Sequence, residues 1–314
     1  MYREYAVEPA AIGSSWGTFR YLIEKFGFQK GRLISRFPSR WERLVIEAAK
    51  MAGVGDIALS RITEKLRKKK EEEIKIVNSG RIYDPSLGSW IASARVAHAV
   101  KPFHAIIAQG DHEENEIVTP EELEEDHPLM IASTSCNVPR TSKRLAEALL
   151  PLLLSAREVD IVDPFFDLQN SKYTNLLSLL LSSMYNSRKN KEKTLLIRIH
   201  FRLDEGDPRE QFLLENAHRW VRGWLLEGFE LHLYEWKQKP GGEDFHARLL
   251  LCDCGGLAVD AGFAAVGQHE STIITLLDYQ HVQRLRKNFA VGATVYDKAG
   301  NAVRIRSNGE TETL

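Results

Sequence analysis

The chain has no apolar run of the ~18–20 residues needed to cross a bilayer. Its longest candidate, Leu145 to Leu154, is too short and is interrupted by Pro151. The opening stretch Met1-Tyr-Arg-Glu-Tyr lacks the apolar core of a signal peptide. Cysteine is scarce. Three residues cannot form an even disulfide framework, and Cys252 and Cys254 form a CxC pair far from Cys136. No second pair completes a zinc site. Net charge is nearly missing too, with 42 Lys and Arg against 43 Asp and Glu. That balance excludes a generally basic, polyanion-coating protein, although local basic stretches can still bind phosphate. There is no phosphate loop, dinucleotide fingerprint, serine elbow or internal repeat. These absences point to a cytoplasmic chain with reduced thiols, no transmembrane segment and no cofactor. Its 314 residues suffice for one large domain or two smaller ones.

What is present begins with helical periodicity. Trp16, Phe19, Leu22, Ile23 and Phe26 recur at steps of three and four until Gly27 stops the run. Pro38 starts a second helix through Trp41, Leu44, Val45 and Ala48 to Gly53. Asp56 caps a third, and Trp90, Ala94 and Ala97 mark a fourth. The spacing predicts an α-helical N-terminal module over residues 1–100. Its tryptophans read as core. The block from Lys65 to Glu73 is self-complementary at helical spacing and reads as a solvated helix end. Arg32 and Arg36, beside Phe37, leave contact with phosphate or with a partner protein open.

From about residue 101 the pattern changes. Phe103–Ala108 and Leu129–Ala132 read as strands around an acidic surface loop, Asp111 to Asp126. Beyond Arg157 strands alternate with helices: a strand ending in Asp163-Pro-Phe-Phe-Asp167, an apolar helix from Asn175, a strand from Thr194, a helix from Arg209 and a strand from Phe229. The order predicts a mixed β-sheet flanked by helices over residues 101–314, an α/β class.

One segment carries chemistry, Phe245-His-Ala-Arg-Leu-Leu-Leu-Cys-Asp253. Residues two apart on a strand share a face, so His246 and Arg248 stand together while Ala247 and Leu249 point to the core. Pro240-Gly-Gly242 precedes the segment and Gly255-Gly256 follows it. A histidine near a carboxylate can be held in one tautomer with its other nitrogen free to attack phosphorus. An arginine can clamp phosphate oxygens. His200 reads as a strand histidine at the sheet rim, and His232 as solvent-facing. Asp163 and Asp167 flank a strand end, where loop-fixing and site-supporting uses are both open.

The spacing His246-x-Arg248-x4-Asp253 resembles the HxKx4D signature of the phospholipase D superfamily, with arginine in place of lysine. Leu257 to Phe263 stands where the family has a glycine-rich strand, and Gln268-His-Glu270-Ser-Thr where it has a second carboxylate. The resemblance spans roughly Pro102 to Asn308. It is similar in particular to the phospholipase D-like C-terminal domain of MIT-domain proteins, through Asp163-Pro164, His246 and Arg248, and His269 to Thr272. The resemblance implies His246 as nucleophile, Glu270 as the carboxylate that orients it, Arg248 as the phosphate ligand, and Asp253 and Asp163 in support. No metal is needed. Because the chain carries one motif, catalysis would require a homodimer that pairs two His246 side chains.

Two functions follow from the resemblance. The first is a metal-independent phosphodiesterase or nuclease acting on nucleic acid. The overall build is also similar to components of bacterial defence systems, with no motif behind that likeness. The alternative is a non-catalytic adaptor that binds phosphate groups, of nucleic acid or lipid headgroups, or a partner protein through the helical module. Arg248 for lysine, and Asp260-Ala-Gly-Phe263 in place of Gly-Ser-x-Asn, favour the alternative.

Overall fold

Strand β1 (Arg3–Val7) buries Tyr5, Ala6 and Val7 completely. Burial on both faces marks a central strand of a parallel sheet. It is the centre of the first of two compact units, Met1–Thr134 and Ser135–Leu314, in a computed structural model that describes residues 1–67, 76–124, 126–188, 194–202, 209–290 and 292–314. After β1 come α1 (Pro9–Gly13), α2 (Trp16–Glu24), β2 (Arg32–Ser35), α3 (Trp41–Met51), α4 (Asp56–Arg67), β3 (Ile76–Val77), α5 (Trp90–Val100), β4 (Ala105–Ile107) and β5 (Ile117–Val118). The sheet order is β3-β2-β1-β4-β5, every pair parallel.

Strand alternation sorts its core into two layers. Tyr5, Val7, Ile34, Ala105 and Ile107 pack with Phe19, Leu22, Trp41, Val45 and Ile62 from α2, α3 and α4. Ala6 and Ile106 pack on the other face with Phe37, Phe103 and the α5 residues Ala94 and Ala97. Glu4, the second residue of β1, accepts from Arg81 Nε on Oε1 and from Arg81 Nη2 on Oε2, each at 3.0 Å. Burial alone would raise the Glu4 carboxyl, but the bonds from Arg81, Ser79 and Ser35 outweigh it and hold the group below its usual range.

The expected all-helical module is therefore corrected. The four predicted helices are present, but they cover a parallel sheet, and β4 and β5 belong to this unit and not to the next. The acidic stretch contains the edge strand β5, and Leu129 lies in a 3-10 turn, Pro128–Met130, not in a strand. Arg32 begins β2 and donates to the Lys25 and Met130 carbonyls, while Arg36 pairs with Glu42 at 2.6 Å. Of the block Lys65 to Glu73, the residues from Lys68 on lie outside the described residues.

The second unit runs β6 (Ser135–Arg140), α6 (Ser142–Leu153), β7 (Val159–Val162), α7 (Ser171–Ser187), β8 (Leu195–Arg202), α8 (Arg209–Val221), β9 (Phe229–Lys237), β10 (Leu249–Cys252), β11 (Gly255–Val259), β12 (Gly267–Leu277), α9 (Tyr279–Asn288), β13 (Asp297–Lys298), β14 (Val303–Arg306) and β15 (Thr311–Thr313). Its sheet has the order β15-β14-β9-β8-β7-β10-β11-β12-β6, with β13 also on β9. The three strands β7, β8 and β9 are parallel, and every other pair is antiparallel. This is the expected mixed sheet flanked by helices. Ile161 and Leu250 face Leu149 of α6 and Leu176, Leu177 and Leu180 of α7. Val162, Leu249 and Leu251 face Val282 of α9 together with Trp236, Phe245 and Phe289.

This topology fixes one edge. The C-terminal ends of β7, β8 and β11 and the N-terminal ends of β10 and β12 lie side by side, because Leu249 pairs with both Val162 and Ala258, and Val259 with Ile274. Asp163, Arg248 and Thr272 all emerge there.

Candidate functional site

Asp163 organises the edge. Its Oδ1 accepts from the Phe165 backbone N–H at 3.0 Å, closing a tight turn across Pro164. Its Oδ2 accepts from the Phe263 N–H at 3.0 Å, tying that turn to the segment after β11. The turn sends Phe166 inward against Tyr173 and Phe201, and leaves Phe165 half in water. Asp163 itself is buried. Burial pushes its carboxyl upward. The two backbone bonds and the charges of Arg248 and Arg140 pull the other way without cancelling that rise.

Arg248 is the fixed cation. Its Nη1 donates to the Asp260 carbonyl at 2.8 Å, and its guanidinium lies 5.2 Å from the Phe165 ring centre. Arg202, at the end of β8, places its guanidinium 5.6 Å from the same ring. Arg140, at the end of β6, has a buried Nε with no hydrogen-bond partner, and its charge reaches both Asp163 and Tyr173. Burial, with Asp163 nearby, pushes the Tyr173 hydroxyl up, so it stays a neutral donor. Backbone bonds hold the frame: Val259 N–H to the Arg248 carbonyl at 2.9 Å, Asp260 N–H to Ile273 at 3.0 Å, and Ala261 N–H to Thr272 Oγ1 at 2.9 Å.

The residues expected from the sequence divide. Arg248 and Asp163 come together. His246 and Arg248 lie in the extended segment before β10 and not on the strand the sequence suggested, while Phe245, Ala247 and Leu249 pack into one core cluster. The His246 side chain is 74% exposed, and its Nδ1 lies 3.2 Å from the Asp244 carbonyl and 3.3 Å from Asp244 Oδ2. The carboxylate beside it is thus Asp244 and not Glu270. Glu270 is exposed in an irregularity where Gly267 pairs with Arg140 and Ser271 with Pro139, so Gln268, His269 and Glu270 drop out of the ladder. Asp253 sits at the opposite end of β10, in the turn to β11. It accepts from the Arg157 and Glu158 backbone at 2.8 and 3.3 Å and anchors the chain entering β7.

A second ionisable group lies on the α9 face. Buried Asp160 meets Arg198 at 2.5 Å, Arg286 at 3.2 Å and His200 Nε2 at 3.3 Å. Trp236 Nε1–H donates to His200 Nδ1 at 3.1 Å, so the histidine proton sits on Nε2 and points at Asp160. Burial lowers the His200 pKa beyond what Asp160 restores. His200 is thus fully buried and satisfied by side chains, not at the rim. His232 is buried as well, against Glu230 at 2.7 Å, and does not face solvent. Sequence reasoning missed this network. Asp160, Arg198 and His200 gave a signal as polar residues on apolar strands.

Among the described residues, no group of three His, Cys, Asp or Glu side chains gathers to hold a metal, and no helix is long and apolar enough to cross a membrane. Cys136, Cys252 and Cys254 are free thiols.

No family model and no curated protein matches the chain. One solved structure that overlaps it is that of TrmBL2, an archaeal chromatin protein described as showing a novel mode of DNA binding. The overlap covers 56% of this chain and 57% of that one, at 13% identity and a TM-score of 0.29. The chain thus spans just over half of that neighbour's length. At such a score the likeness carries no argument.

Proposed function

We propose that the sheet edge around Arg248 binds phosphate groups, and that the protein is a non-catalytic adaptor whose second unit is a phospholipase D-like domain with one altered half-site. The observation that carries this reading is the anchoring of Arg248 on the Asp260 carbonyl, with Arg140 beside the same buried Asp163. Fixed guanidinium groups lose little freedom on gripping a phosphate, and their planar fork matches its oxygens. The first unit is then the part that docks to a partner protein. A polarisation titration of labelled oligonucleotides, with vesicles bearing anionic headgroups as a second arm, tests it. Arg248→Ala is expected to weaken whichever ligand binds. Equal binding by wild type and Arg248→Ala would remove the proposal.

A second reading is a metal-independent phosphodiesterase acting on nucleic acid as a homodimer. The position of Asp244 favours it, since a carboxylate at Nδ1 leaves Nε2 of His246 free as nucleophile. The proton for the leaving oxygen would come from the partner's equivalent group. Cleavage in EDTA that is lost in His246→Ala is the expected result of that reading. Cleavage that persists in His246→Ala would end it.

A further inference from the structure

Phe165 is 52% exposed while its neighbour Phe166 is 4% exposed. The difference is built in. The Asp163 turn fixes the backbone, and the Arg202 N–H bonds the Pro164 carbonyl at 3.2 Å, so Phe165 is held at the rim by both β7 and β8. Water contact is costly for a phenyl ring, at about 25 cal/mol for each Å² left exposed. The two guanidiniums at 5.2 and 5.6 Å cover part of the ring and hold it among cations. A rigid, half-exposed aromatic among phosphate-binding arginines has the chemistry of a nucleic-acid base platform: the ring or a guanidinium plane takes a base, and the cations take the flanking phosphates.

Resting on the phosphate-binding reading of this same edge, we infer that its ligand is a single-stranded polynucleotide, with one unpaired base stacked at Phe165 and the adjoining phosphates on Arg248, Arg202 and Arg140. Two features select this ligand. A duplex keeps its bases stacked inside, out of reach of a side chain at a sheet edge. A flat anionic bilayer would bring the exposed carboxylates Glu243, Asp244, Asp260 and Glu270 into its headgroup layer, where like charge repels. A single strand can thread between them.

The experiment uses the full chain and a fluorescein-labelled oligo-dT, with an abasic oligomer of the same length, a duplex, and vesicles containing phosphatidylserine. Wild type is expected to bind oligo-dT about tenfold more tightly than the abasic oligomer, because stacking on an aromatic is sequence-tolerant but needs a base. Phe165→Ala should abolish that difference, while Phe165→Trp should keep it. Phe165 is half-exposed, so the alanine variant is expected to fold, and its circular dichroism checks this. An unchanged preference for oligo-dT in Phe165→Ala overturns the inference, as does equal or tighter binding of duplex or vesicles. Failure of the underlying reading looks different: oligo-dT and the abasic oligomer would both ignore Arg248→Ala.

Discussion

Asp163 and Arg248 meet on Gly262. A methyl group added there would lie 2.6 Å from Asp163 Oδ2 and 2.7 Å from Arg248 Cδ, and Gly262 has φ +76°. The close approach and the left-handed backbone both require glycine at this position. Gly262→Ala is therefore expected to push Arg248 off the Asp260 carbonyl. It should cost about 1–3 kcal/mol of stability, as overpacking does, and weaken phosphate binding together with it. Urea denaturation and an oligonucleotide titration of the same preparation measure both. Full binding in Gly262→Ala would mean that Arg248 need not be held in place.

Asp160 neutralises Arg198 and Arg286 at one buried point. Asp160→Ala leaves those guanidiniums with only half-exposed Glu158 between them. Removing one partner of a buried charge group costs about 3–5 kcal/mol, so the denaturation midpoint should fall steeply. A change within error would show the network to be without structural weight.

The His200 pKa is lowered by burial, with Asp160 opposing and Arg198 adding. The unfolded chain thus binds the proton more readily than the folded one. The corresponding stability is complete above the ordinary histidine value near 6.5, and it is lost as pH falls below that value. His232 and His104 are lowered as well and act in the same direction. Stability should be lower at pH 5.5 than at pH 7.5, and the difference should shrink in His200→Phe. Denaturation at both pH values decides this, and an unchanged slope in the variant would assign the effect to His232 and His104.

Arg81 is 4% exposed and holds Glu4 on both carboxylate oxygens, donates to the Lys101 and Pro102 carbonyls, and lies 3.6 Å from the Phe103 ring centre. Arg81→Ala leaves the partly buried Glu4 carboxylate of β1 with only Ser79, Ser35 and, at 3.9 Å, exposed Lys101 among its described partners, at a cost of about 1–3 kcal/mol. Glu4→Gln in the same background should restore part of it, since the under-compensated charge is gone. Thermal unfolding of the single and double variants tests the pairing. Independent effects would argue against it.

The alternation of strands and helices after Arg157 was legible because β7, β8 and β9 repeat apolar residues at every second position and are set off by turns. β1 was not. Tyr5-Ala-Val7 is a short run buried on both faces, with neither the period of two nor the period of 3.6 that a one-sided element displays. β6, Ser135-Cys-Asn-Val-Pro-Arg140, reads as loop because it is an edge strand, mostly polar and with a proline that an edge tolerates. At the site, the two-residue spacing rested on a strand through His246 and Arg248, but β10 begins only at Leu249. Nor could the sequence report that Gln268 to Glu270 leave the ladder, since an irregularity in pairing depends on the partner strand. Phe165 escaped notice because Pro164-Phe-Phe166 looks the same whichever ring turns inward. Only the Asp163 turn decides it.

The most direct test is a salt series of oligo-dT binding by wild type and Arg248→Ala. If Arg248 takes a phosphate, the variant should bind at least tenfold more weakly, and the steepness of log affinity against log salt should fall by about 0.7, the contribution of one single-strand phosphate contact. The same affinity and the same slope in both proteins would contradict a phosphate site at this edge.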